Sequence, residues 1–275
     1  MPHTSRPRTQ RNQPSQKRLE ITSDDGWTHV TTGNNARRVN RNTRNKTQEA
    51  HVLDPVLQPA EAPARLTLDD LRIQYSLHRS QWVESETWNG IESVLAERIS
   101  RRVQDGNGLD GRVDGIVCIG LGSLSGFLRD GWVDRRDVSM YQLAALESIR
   151  DLVVENTSVD SKVSVSVYLQ DPVFNKLDCA LLESLGMTVV NHPEAFERVT
   201  RNTLLFCPGA ERKHLEQILP SNPGLLFGGP LENTESDVIQ AFIDRTGSRI
   251  LAPFKANEHA FWMTRFYWTE ENSQP

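Results

Sequence analysis

Apolar positions along this chain follow two rhythms, and the change from one to the other organises it. From residue 64 they recur at helical spacing as Leu68, Leu71, Ile73, Tyr75 and Leu77, and then, after Trp82 and Trp88, as Ile91, Val94, Leu95 and Ile99. Thr67 stands where an N-cap is needed, and the pattern suits two helices better than one. Residues 105–111 (DGNGLDG) form a glycine-rich turn that closes this region. The next run, GIVCI over residues 115–119, is unbroken apolar sequence, which suits a strand covered on both faces. It breaks into Gly120, Gly122 and Gly126.

Beyond it, strand and helix patterns alternate. A helix is predicted over residues 140–154 with Ser139 as its cap, a strand over 163–169 ending at Asp171 and Pro172, and a helix over 177–185 stopped by Gly186. A short strand over 187–190 follows, then a strand over 203–207 closed by Pro208 and Gly209, a helix over 211–219, a strand over 225–229, a helix over 238–245 and the apolar residues 249–252. Such alternation predicts an α/β, Rossmann-like fold, a mostly parallel sheet with helices on both faces. The domain is expected to span residues 63–270, with N-terminal helices in 63–104 and the core in 113–255. No internal repeat is present.

Residues 1–62 show neither rhythm. They are rich in Arg, Asn, Gln, Thr and Pro and poor in large apolar side chains, so a disordered arm is expected, because too little surface can be buried to offset ordering entropy. One island, residues 24–30 (DDGWTHV) around Trp27, reads as a docking strand or short linear motif, or as a stray aromatic in a tail. Charge is polarised. Ten basic against four acidic side chains make residues 1–50 +6, which leaves −11 for the rest of a chain whose formal total is −5. The basic run Arg37, Arg38, Arg41, Arg44 and Lys46 suits nuclear import or phosphate-backbone contact, with a solvated arm the plainer reading. Without an aromatic platform or recognition helix, nucleic acid is not an expected partner except through this arm.

Nothing in the chain approaches the roughly 18 consecutive apolar residues of a membrane span, and no apolar signal core opens it. Cys118, Cys179 and Cys207 are too far apart for a zinc site or a disulfide framework, so a reducing, intracellular setting is expected. Cys118 and Cys207 lie in apolar strands, where a thiol is normally a small buried hydrophobe rather than a nucleophile. The seven histidines are scattered with no i, i+4 pair, so they suggest no metal site. His192, after a strand, and His214, near the Cys207 turn, are open to a lone acid–base role or to an ordinary structural one.

Ligands in parallel sheets bind outside the carboxyl ends of strands. Four strands end suggestively: at Gly120 to Gly126, at Asp171 and Pro172, at Cys207 to Gly209, and at Gly228 to Pro230. The first offers G-x-G-x-x-x-G rather than the dinucleotide fingerprint, and the charged insertion 129–137 separates it from the next predicted helix, so a pyrophosphate would not meet a helix dipole. A methyltransferase-like site would use the glycine loop for S-adenosylmethionine and Asp171 for ribose hydroxyls. The plainer reading of Asp171 is a cap for the turn before Pro172.

The ordered pieces GLGS (120–123), YQLA (141–144), YLQDPVF (168–174), TLLFCP (203–208) and LPSN (219–222) resemble the sensitivity-to-red-light-reduced (SRR-like) domain family. The resemblance covers residues 115–229, and the island at Trp27 is similar to a short motif upstream of that domain. Taken with the strand-end reading, these motifs make Gly120, Gly122, Ser123, Gln142, Asp171 and Pro208 the ligand-binding candidates, and the resemblance implies no assigned catalytic residue. It also implies a regulatory or interaction protein, with protein partners, in cytoplasm and nucleus, linked to circadian and light responses, haem biosynthesis or the cytoskeleton. Many members carry Pro-His-Cys where this chain has Pro208, Gly209 and Ala210, so haem or metal ligation through that pair does not carry over. The alternative is a Rossmann-like transferase binding S-adenosylmethionine or a nucleotide.

Overall fold

A computed structural model of the chain describes residues 18–22, 28–32, 58–105, 112–127, 134–157 and 165–269. It divides into two units, Met1–Val56 and Leu57–Pro275. In the first, β1 (Arg18–Thr22) pairs antiparallel with β2 (Thr28–Thr32), Glu20 opposite Val30. Trp27, the basic run 37–46 and most of the arm expected to be disordered lie outside the described residues.

The second unit opens with α1 (Leu68–Val83) and α2 (Glu86–Asp105). Thr67 caps α1 through a reciprocal box: its hydroxyl accepts the Asp70 amide (3.2 Å), and the Asp70 carboxylate accepts the Thr67 amide (3.1 Å). Next come β3 (Gly115–Ile119), α3 (Arg136–Thr157), β4 (Ser166–Gln170), α4 (Lys176–Ser184), β5 (Thr188–Val189) and α5 (Glu194–Glu197). The chain continues through β6 (Thr203–Cys207), α6 (Arg212–Ile218), β7 (Leu225–Gly228), α7 (Asp237–Ile243), β8 (Thr246–Ile250) and β9 (Arg265–Thr269).

One sheet takes seven of these strands in the order β5-β4-β3-β6-β7-β9-β8. β3 to β7 run parallel, while β9 is antiparallel to both its neighbours. Alternate residues of each strand serve opposite faces, which is why the central strands are apolar throughout. Ile116, Cys118, Leu204, Phe206, Leu225 and Phe227 face a core shared with α1 to α4. Val117, Ile119, Leu205, Cys207 and Leu226 face a second core closed by α5, α6 and α7.

Two features depart from the periodicity. α3 starts at Arg136, a turn before the expected cap Ser139, because the Asp134 carboxylate accepts the Arg136 amide (3.1 Å). Ser139 is therefore inside the helix and buried. The pattern also gave no sign of β9. It returns antiparallel after an excursion, 251–264, fastened down by aromatic contacts of Phe254 and Phe261 with Trp82 and by the Gln142 side-chain amide donating to Ala260 O (2.8 Å).

Candidate functional site

Strand order places a switch point between β3 and β6, since the chain leaves β3 for β4 on one side and later returns to β6 on the other. In open α/β sheets the crevice outside such a point receives ligands. Here two loops meet in it backbone to backbone. Gly120 has φ +76°, and a Cβ on it would stand 2.7 Å from Gly209 C; a Cβ on Gly209 would stand 2.5 Å from Gly120 O. Side chains at either position are excluded by the other, and Pro208 leads the second loop into this contact.

The loop after β3 turns its donors inward. Gly122 N–H donates to Asp171 Oδ2 (2.8 Å), and Val173 N–H to Asp171 Oδ1 (3.0 Å). Asp178, on α4 and fully buried, accepts from five donors: the amides of Leu124 (3.1 Å), Ser125 (2.9 Å) and Asn175 (3.0 Å), and the hydroxyls of Ser123 (2.6 Å) and Ser125 (2.7 Å). Ser123 Oγ accepts in turn from Gly126 N–H (2.9 Å). Residues 60 and 61 strap the loop from outside: Glu61 and Phe127 exchange amide hydrogen bonds, and a Cβ on Gly126 would meet Ala60 at 2.7 Å. The G-x-G-x-x-x-G loop thus directs its donors at two of the protein's own carboxyl groups. A phosphate group in the same place would have to displace them.

Along the same edge, β4 ends in the buried Gln170. Its Oε1 accepts the Ala195 amide (3.2 Å), which leaves Nε2 to donate to His192 Nδ1 (3.1 Å). The Gln170 amide thereby holds the His192 ring in place through Nδ1. The Phe196 ring lies between His192 (5.1 Å) and His214 (5.8 Å), edge-on to both. Burial pushes the His214 pKa below the ordinary imidazole value, and it pushes Asp171 above the ordinary carboxyl value against the pull of the Gly122 and Val173 amides. Burial likewise raises Cys118, and it pushes the Cys207 thiol up to about 12, so both are protonated at neutral pH. Among the described residues no group of three or more His, Cys, Asp or Glu is arranged to hold a metal ion.

Of the expected ligand-binding residues, Gly120, Gly122, Ser123, Asp171 and Pro208 gather around the crevice, whereas Gln142 is bonded to Ala260 of the 251–264 excursion. Sequence reasoning missed Asp178, which the N3 position after Asn175 marks as half of a capping box. It also missed the His192–Phe196–His214 row, in which His192 and Phe196 stand four residues apart but no local spacing connects them to His214. A third feature is a groove of about 760 Å³ beside the end of β8, lined by Ile91, Arg249, Leu251, Glu258, Phe261 and Trp262 among others.

Neither the curated proteins nor the solved structures contain a match to this chain. A family model, the SRR1 domain, matches residues 91–268, extending the resemblance of residues 115–229 back into α2 and forward into β9. It spans well over half of the chain and takes in the seven strands of the sheet up to the last residue of β9, the glycine loop, Asp178 and the histidine row; the chain belongs to the SRR1 domain family.

Proposed function

We propose that this SRR1 domain protein is a regulatory, interaction-type protein that does not use its glycine loop for turnover. One observation carries the reading: the loop's amide and hydroxyl donors are committed to Asp171 and Asp178, and Gly120 and Gly209 fill the switch-point crevice with backbone. A transition state gains only from donors still free to meet it. Partners are proteins, met in cytoplasm and nucleus, with the basic residues of the arm serving targeting. The settings implied by the family resemblance are circadian and light responses, haem biosynthesis or the cytoskeleton.

The alternative, a transferase using S-adenosylmethionine or a nucleotide, draws support from one place, the carboxyl edge where Asp171, His192 and His214 lie. Thermal unfolding of the full chain with S-adenosylmethionine, nicotinamide dinucleotides, nucleoside triphosphates and haem separates the two. A ligand at a hundredfold excess over its dissociation constant stabilises by about 2.7 kcal/mol. The regulatory reading expects an unchanged midpoint with each. A rise with S-adenosylmethionine or a nucleotide that Gly122→Val abolishes would establish the transferase reading instead.

A further inference from the structure

The two edges of the sheet differ. β5, at one end, is two residues long, too short to template further pairing. β8, at the other, is five residues long with no proline, and no described residue pairs with its outer side. Register decides which of its peptide groups face outward. Ile250 stands opposite Arg265, and the next amide, Leu251 N–H, donates to Thr264 O at 3.0 Å. Hydrogen-bonded pairs alternate in an antiparallel ladder, so Arg249 and Gly247 also turn their peptide groups toward β9. Those of Thr246, Ser248 and Ile250 turn away from the sheet. The far side of β9 agrees: Thr269 N–H donates to Gly224 O (3.1 Å), so Thr269, Tyr267 and Arg265 address β7 and leave Trp268 and Phe266 to address β8.

Exposed apolar surface collects at the same edge. Ile250, Trp262 and Met263 are 46%, 57% and 38% exposed and line the groove with Leu251 and Phe261. Arg249 and Glu258 line it too, and neither has an ion-pair partner among the described residues.

We propose that β8 pairs with β8 of a second copy of this chain, antiparallel about a two-fold axis at Ser248, so that two seven-stranded sheets become one. The outward peptide groups are symmetric about that residue: Thr246 meets Ile250 of the second copy, Ser248 meets Ser248, and every outward donor gains an acceptor. Gly247 comes opposite Arg249 of the second copy and sets no side chain in its way. Within its own chain Gly247 is obligatory, because a Cβ would lie 2.6 Å from the Trp268 indole. A groove holding one free cation and one free anion is complementary to its own two-fold image, whereas a peptide of single charge would leave one of the two unanswered. Pairing also shields the exposed apolar side chains that flank the strand. This assembly is independent of what the glycine loop does.

Sedimentation of the full chain over a wide concentration range, with hydrogen exchange, tests it. The expected result is twice the chain mass, with slow exchange at the amides of Thr246, Ser248 and Ile250. Ser248→Pro removes a donor that the chain's own sheet does not use, so it should yield a monomer with a native circular dichroism spectrum. Ile250→Lys, which leaves the backbone intact, should weaken the dimer even if the proline variant does not fold. A wild-type chain that is monomeric throughout, or a dimer that survives Ile250→Lys with fast exchange at the three amides, overturns the proposal.

Discussion

Asp178 Oδ1 accepts the amide of Ser125 at 2.9 Å, so a carboxyl group from α4 occupies the glycine loop after β3. The same side chain caps its own helix through Asn175 N–H. One residue therefore ties the first βα loop of the core to the helix that follows the next strand.

Removing that tie should be expensive. Asp178→Ala leaves several buried donors without an acceptor, each costing about 1–3 kcal/mol, so a loss on the order of 3 kcal/mol is expected. Asp178→Asn keeps one acceptor oxygen and should lose less. Urea unfolding of the two variants checks the order, and a loss below about 1 kcal/mol for the alanine variant would mean that the loop holds itself.

Contact between the loops can be separated from backbone conformation. Gly120 and Gly186 have nearly the same φ, +76° and +75°, but a Cβ on Gly120 meets Gly209 whereas one on Gly186 meets nothing within 4 Å. Gly186→Ala should cost about 1–2 kcal/mol for the left-handed conformation alone. Gly120→Ala should cost about 1–3 kcal/mol more for the forced contact. Equal losses in chemical denaturation would show that the two loops do not press on each other.

Acid should weaken the fold partly through His214. Its folded-state pKa lies below the ordinary value of 6.5, mainly through burial, with Lys213 and His192 lowering it further and Glu211 and Asp171 opposing. A group depressed on folding contributes stability that is full above its unfolded pKa and is lost as pH falls below 6.5 through the folded pKa. Asp171 has the opposite sign: its pKa is raised from 3.8, so ionising it as pH rises through the folded value costs stability. His214→Gln should therefore show a shallower decline of unfolding free energy below pH 6.5 than the parent chain, and parallel curves would remove His214 from this role.

Thiol chemistry should be confined to one position. Cys118 and Cys207 are buried and Cys179 is half-buried, and burial raises the pKa of all three. A maleimide should modify Cys179 first and slowly in the native protein, with the other two reacting only on unfolding. Mass spectrometry of the labelled peptides reads the order, and fast native labelling of Cys207 would contradict the closed strand end.

Period-two and period-3.6 patterns act over a few residues, and so the sequence by itself determined the α/β class, the helix that Thr67 caps, the strands 115–119 and 203–207, and the glycines after the first. Asp171 was legible as a turn residue for the same reason. Tertiary structure alone decided what those parts do to one another. Strand order set Gly120 against Gly209, and α4 carried Asp178 into the loop. His214 joined His192 and Phe196 only when α6 packed beside the β5–β6 connection, and β9 announced itself in no alternation because both its faces are covered, Phe266 in one core and Tyr267 in the other. Propensity and periodicity are local, while a carboxyl group's choice of donor is settled by whichever amides the packed sheet brings within 3 Å of it.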